Sequence, residues 1–114
     1  MRRINPETVI MLQIHEALLR SGLWVGWRNN CGMATYGEAK VRYGLGPGSP
    51  DLVGALRSSG RMCCFEVKTP KNRKKEDEQL AWHRHATANR IFVRFVRSAE
   101  EAVRAVQEAA NGAD

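Results

Sequence analysis

Apolar and polar positions change period along this chain, and the changes mark its elements. After Asn5, apolar residues recur at helical spacing through Ile10, Met11, Ile14, Ala17 and Leu18. Asn5 is a good N-cap, Pro6 suits the first helical position and Glu7 favours the positive helix end. Gly22 supplies a stop, so a helix is predicted to run to Leu19. Residues 23–29 alternate loosely and predict a strand. Residues 32–50 are rich in glycine and carry Pro47 and Pro50, which predicts a loop with room for a short hairpin. Residues 51–56 and 61–68 predict two strands joined by the turn Ser58-Ser59-Gly60. A basic loop broken by Pro70 follows, then a helix over residues 76–89 and an apolar, β-branched strand over residues 90–96. Ser98 and Glu101 form a capping box that opens a last helix, with Val103 and Val106 on one face. The expected order is α-β-β-β-α-β-α: an α/β fold with one short mixed sheet flanked by helices.

At 114 residues the chain suits a single domain over residues 1–114. No apolar run is long enough to span a membrane, and the basic start lacks the apolar stretch of a secretory signal. Three cysteines, Cys31 and the adjacent Cys63 and Cys64, do not make a disulfide framework. They predict reduced thiols and a cytoplasmic setting. Charge adds a partner class. Eighteen Lys and Arg against twelve Asp and Glu give a net charge of +6, which attracts polyanions, nucleic acid first among them.

The informative stretch is Gly48-Ser49-Pro50-Asp51 followed by Glu66-Val67-Lys68. Side chains alternate faces along a strand, so Glu66 and Lys68 point the same way while Val67 points into apolar packing. If the strand that starts at Asp51 pairs with this one, two carboxylates and an ammonium share one patch. Two such carboxylates repel unless a cation lies between them. Oxygen donors in small number, with positions left for water and phosphate, suit Mg²⁺. Taken singly, each residue reads as an ordinary surface charge or turn residue; only the set favours a metal site.

This pattern resembles the PD-(D/E)xK nuclease superfamily. The wider set is similar to its VRR-NUC (virus-type replication-repair nuclease) domain. That set runs through Arg28-x-Asn30-x-Gly32, Gly48-Ser49-Pro50-Asp51-Leu52-Val53-Gly54, Phe65-Glu66-Val67-Lys68-Thr69-Pro70, Gln79, Phe92-Val93 and Val96-Arg97-Ser98. The resemblance covers nearly the whole chain. It implies a restriction-endonuclease-like core and a Mg²⁺- or Mn²⁺-dependent endonuclease. Stand-alone members look like homodimeric resolvases of four-way (Holliday) junctions. It also implies roles: Asp51 and Glu66 as metal ligands, the Val67 carbonyl as a further ligand, and Lys68 as the catalytic lysine. A glutamate of the first helix and Gln79 complete the set.

The first helix offers Glu7 and Glu16. At about 100° per residue Glu7 falls on the apolar stripe with Met11, Ile14 and Leu18, and Glu16 falls opposite, so Glu7 is preferred and Glu16 held in reserve. Gln79 shares a face with His83 and Ala86 and is expected to point inward. Arg28, Asn30, Lys71, Arg73, Lys74 and Lys75 are expected to contact DNA phosphates. Trp24 and Trp27 are expected in the core or at an interface. A second apolar stripe on the first helix, Val9, Leu12 and Leu19, suggests a homodimer surface, unless the glycine-rich loop covers it. The competing functions are a flap- or duplex-directed nuclease and a non-catalytic DNA-binding module.

Overall fold

The computed structural model describes residues 5–69 and 77–114. Their elements run α1 (Pro6–Arg20), β1 (Trp24–Arg28), β2 (Gly32–Tyr36), β3 (Ala39–Tyr43), β4 (Leu52–Leu56), β5 (Cys63–Val67), α2 (Asp77–Ala88), β6 (Phe92–Val96) and α3 (Ala99–Ala110). Four strands form a mixed sheet in the order β1-β4-β5-β6. Its first three strands pair antiparallel, and β5 pairs parallel with β6. The crossover from β5 to β6 passes through α2, as a parallel pair requires. The fold is α/β, with a mixed sheet and three helices, as expected.

Two strands were not in the expected order. β2 and β3 form a separate antiparallel ribbon within the segment read mainly as loop. Its strands are joined by the two-residue turn Gly37-Glu38. Glycine content pointed to irregular backbone, but Met33 to Tyr36 and Ala39 to Tyr43 alternate well enough to pair.

Helix caps behave as the sequence predicts. The Asn5 side chain accepts from the Glu7 N–H at 2.9 Å, and Ser98 accepts from the Glu101 N–H at 3.1 Å. α1 and α3 pack together on one face of the sheet, where Ile14, Leu18, Ala102, Ala105, Val106 and Ala109 meet Leu52, Phe65, Phe92 and Val96. Burying each large apolar side chain here is worth roughly 1.5–3 kcal/mol. Trp24 closes the β1 side of this core. Its indole N–H donates to the Cys63 carbonyl at 2.8 Å. Its ring lies across the paired Gly26 and Gly54, where a Cβ on either would collide with the ring and with main chain. The opposite face of the sheet receives α2, which packs on β6.

β5 is central and covered on both faces, so all five of its residues are buried. The stripe formed by Val9, Leu12 and Leu19 remains exposed, and the glycine-rich segment does not cover it. Among the described residues no helix is long and apolar enough to cross a membrane.

Candidate active site at the ends of β4 and β5

The glycine-rich segment delivers Asp51 to the sheet, and Asn29 is the clamp. The Asn29 amide donates to Ser49 Oγ at 2.8 Å and to the Pro50 carbonyl at 2.9 Å, and its Oδ1 accepts from the Leu45 N–H at 3.3 Å. Its own N–H donates to the Asp51 carbonyl at 2.7 Å, extending the β1–β4 ladder by one residue. Gly48, at φ +78°, lies against the Glu78 main chain, where a Cβ would overlap backbone. The segment is thereby held between β1 and the start of α2, with Pro50 buried beneath it. The side-chain polar atoms of Asn29 are thus spent on this loop.

β4 and β5 pair with Leu52 opposite Phe65, which sets Asp51 opposite Glu66. Asp51 Oδ2 accepts from the Val67 N–H at 2.8 Å. Glu66 is 4% exposed and Lys68 3% exposed. Lys68 Nζ donates to Gln79 Oε1 at 2.6 Å and lies 5.4 Å from the centre of the Phe95 ring. Gln79 Nε2 donates in turn to Glu66 Oε1 at 3.3 Å. Gln79 therefore bridges the two buried charges from α2, the inward orientation its helical position predicts. Beneath Lys68, His83 stacks on Phe95 with ring centres 4.1 Å apart. The spacing of His83 and Phe95 gave no sign of this floor.

Glu66 Oε2 is buried and has no hydrogen-bond partner among the described residues. A proton on Glu66 would give it one, because the Asp51 carboxylate lies within hydrogen-bonding reach. Burial first, and the Asp51 carboxylate second, push Glu66 up to about 9, against the opposing pull of Lys68. A divalent cation between Asp51 and Glu66 meets the same need as that proton. The donor set fits such an ion: two hard carboxylates, one of them holding a buried oxygen without a donor.

Beside the pair opens a cleft of about 300 Å³, lined by Glu7, Arg28, Asp51, Val67 and Thr69 among others. Glu7 reaches it from α1, and its Oε1 accepts from Thr69 Oγ1 at 3.4 Å. Among the described residues no group of three or more His, Cys, Asp or Glu side chains is gathered as for a metal ion. Asp51, Glu66, Lys68 and Gln79 are thus brought together, and Glu7 faces the same cleft without joining the carboxylate pair. Glu16 instead forms an exposed ion pair with Arg20 at 2.9 Å, outside this cleft. Arg28 is exposed at the cleft, and Asn30 is exposed in the turn after β1. Lys71, Arg73, Lys74 and Lys75 lie outside the described residues. Trp24 is core as expected, whereas Trp27 is 65% exposed. Burial pushes the Cys63 thiol up to about 12 and the Cys64 thiol up to about 11, which keeps both protonated and unreactive.

No protein-family model matches this chain, and no curated protein matches it.

Proposed function

We propose that this chain is a metal-dependent endonuclease with a PD-(D/E)xK core close to the VRR-NUC domain, hydrolysing phosphodiester bonds in branched DNA such as the four-way (Holliday) junction. The observation that carries the reading is the buried Glu66 Oε2, without a partner among the described residues and facing Asp51, with the Lys68 ammonium fixed beside it. Burying a carboxylate next to another carboxylate costs stability, and a fold tolerates it where the site needs that charge.

In this reading Asp51 and Glu66 hold Mg²⁺, for which Mn²⁺ substitutes, and the Val67 carbonyl is a further ligand. Mg²⁺ keeps several waters and is bound through one or two carboxylates, so a third carboxylate in contact is not required. Glu7 faces the cleft as a partner for those waters. The bound ion supplies a polarised phosphate oxygen and a more acidic water. Lys68 orients the attacking water and offsets charge gathering on the phosphate oxygens. Gln79 holds the ammonium in place and keeps Glu66 from turning away. Arg28, exposed at the cleft, and Asn30 hold the backbone of the nucleic acid, with the basic segment after Thr69 adding charge. The exposed stripe of Val9, Leu12 and Leu19 is the proposed homodimer surface, and a two-fold pair fits symmetric cutting of a junction.

The test is cleavage of labelled four-way junction, flap and linear duplex in Mg²⁺ and in EDTA. The expected outcome is cutting with metal only. Asp51→Asn abolishes it, and Lys68→Ala lowers the rate at least ~100-fold while leaving junction binding in place. Binding without cutting by the wild-type chain contradicts the proposal and favours a DNA-binding module. Robust cutting by Asp51→Asn refutes the ligand assignment.

A further inference from the structure

The sheet face that carries the acidic pair is only half covered. Cross-strand register arranges its side chains in rows. One row is Asn29, Asp51, Glu66 and Phe95, and the next is Trp27, Val53, Cys64 and Val93. α2 packs over the β6 end of these rows. At the β1 end Trp27 is 65% exposed and Val25 41%, with Val53 and Ala55 half-buried beside them. Trp27 pairs with Val53, so Asp51 is its diagonal neighbour across the strand pair, a spacing of roughly 7–8 Å that an aromatic side chain reaches across. The next residue, Arg28, points to the other face of the strand and lines the cleft with Asp51. The end of β1 therefore sets an indole on one side of Asp51 and a guanidinium on the other. These are complements to the two halves of a nucleotide: a flat base and an anionic phosphate.

We propose that Trp27 is a base-stacking platform that receives an unpaired base next to the bond to be cut. The idea rests on the nuclease reading for the position of that bond, but the stacking itself needs no metal. A base inside a continuous duplex is already stacked on its neighbours and cannot be received without unstacking. Trp27 thereby biases the site towards DNA with unpaired bases at the cut. A second copy of the chain is a poorer occupant. Four side chains, two of them already half-buried, fall far short of the roughly 800 Å² per partner of a standard interface.

The experiment titrates wild-type protein, Trp27→Ala and Trp27→Phe in EDTA with a short single-stranded oligonucleotide and with a duplex of equal length. The readout is the ratio of the two affinities, taken by anisotropy of the labelled DNA. Trp27→Ala is expected to lower the single-strand to duplex ratio roughly tenfold, and Trp27→Phe to restore most of it. An unchanged ratio in Trp27→Ala overturns the proposal, as does failure of the wild type to bind single strands. Should sedimentation show that Trp27→Ala converts a dimer to monomers, the face belongs to a second copy and the proposal falls. The two readings separate cleanly. A shifted ratio with no metal-dependent cutting leaves the platform standing and removes the nuclease, and metal-dependent cutting with an unshifted ratio does the reverse.

Discussion

β5 and β3 are strands of equal length with opposite fates. β5, Cys-Cys-Phe-Glu-Val, has no alternation, and all five of its residues are buried. β3, Ala-Lys-Val-Arg-Tyr, alternates cleanly, and all five of its residues are exposed. Alternation reports which side chains share a face; neighbours decide whether that face is covered. β5 has a strand on each side, α1 and α3 below and α2 above. Among the described residues the β2–β3 ribbon has no third strand and packs on no helix, so even its apolar face is no more than half-buried, at Gly32 and Ala34. Ala34, Tyr36, Ala39, Val41 and Tyr43 share one face, and Lys40 and Arg42 share the other with Met33 and Thr35. A lone two-stranded ribbon is marginal in water, so the fold's stability is concentrated in the four-stranded sheet. The same enclosure that makes β5 stable forces Glu66 and Lys68 out of water, and this is what gives that strand its chemistry.

The largest expected effect comes from changing the buried charge on β5. In the folded chain Glu66 binds its proton up to about 9, whereas the ordinary value is 4.5. Between those values the folded state holds a proton that the unfolded chain has released. Stability is therefore fullest below about pH 4.5 and falls as pH rises through the window. Without metal, the wild-type chain is expected to lose on the order of 2–4 kcal/mol between pH 5 and pH 8. Glu66→Gln should remove most of that slope. Urea unfolding at stepped pH in EDTA checks both, and parallel slopes for the two proteins would show that Glu66 is not strained by burial. The smallest effect belongs to the ribbon. Val41→Ser should change unfolding free energy by less than about 0.5 kcal/mol, as expected for an exposed position. A loss well above that in the same assay would show that the ribbon's apolar face is packed in solution.

Much of the candidate site was legible in the sequence, because strand geometry is short-ranged and strict. Period-two alternation put Glu66 and Lys68 on one face, and helical spacing turned Gln79 towards them. What the sequence could not supply is position along an element's axis. The wheel turns Glu7 towards the cleft, yet from the first turn it bonds Thr69 and is not gathered with the carboxylate pair. Asn29 was hidden for another reason: its contacts reach forward sixteen to twenty-one residues into a loop with no periodicity. Tryptophan is usually covered, so the sequence points Trp27 to core or interface, and only the sheet order shows β1 to be an edge whose outer face α2 does not reach. The ribbon was legible only as room for a short hairpin, because its glycines mark the ends of its strands and so read as loop.

In the proposed site Asp51 and Glu66 share one divalent ion. Calorimetric titration of the wild-type chain with Mn²⁺ at pH 7, alongside Asp51→Asn and Glu66→Gln, tests it most directly. One ion per chain is expected for the wild type, with at least roughly tenfold weaker binding in each variant. Equal binding by all three proteins, or no binding by the wild type, would contradict it.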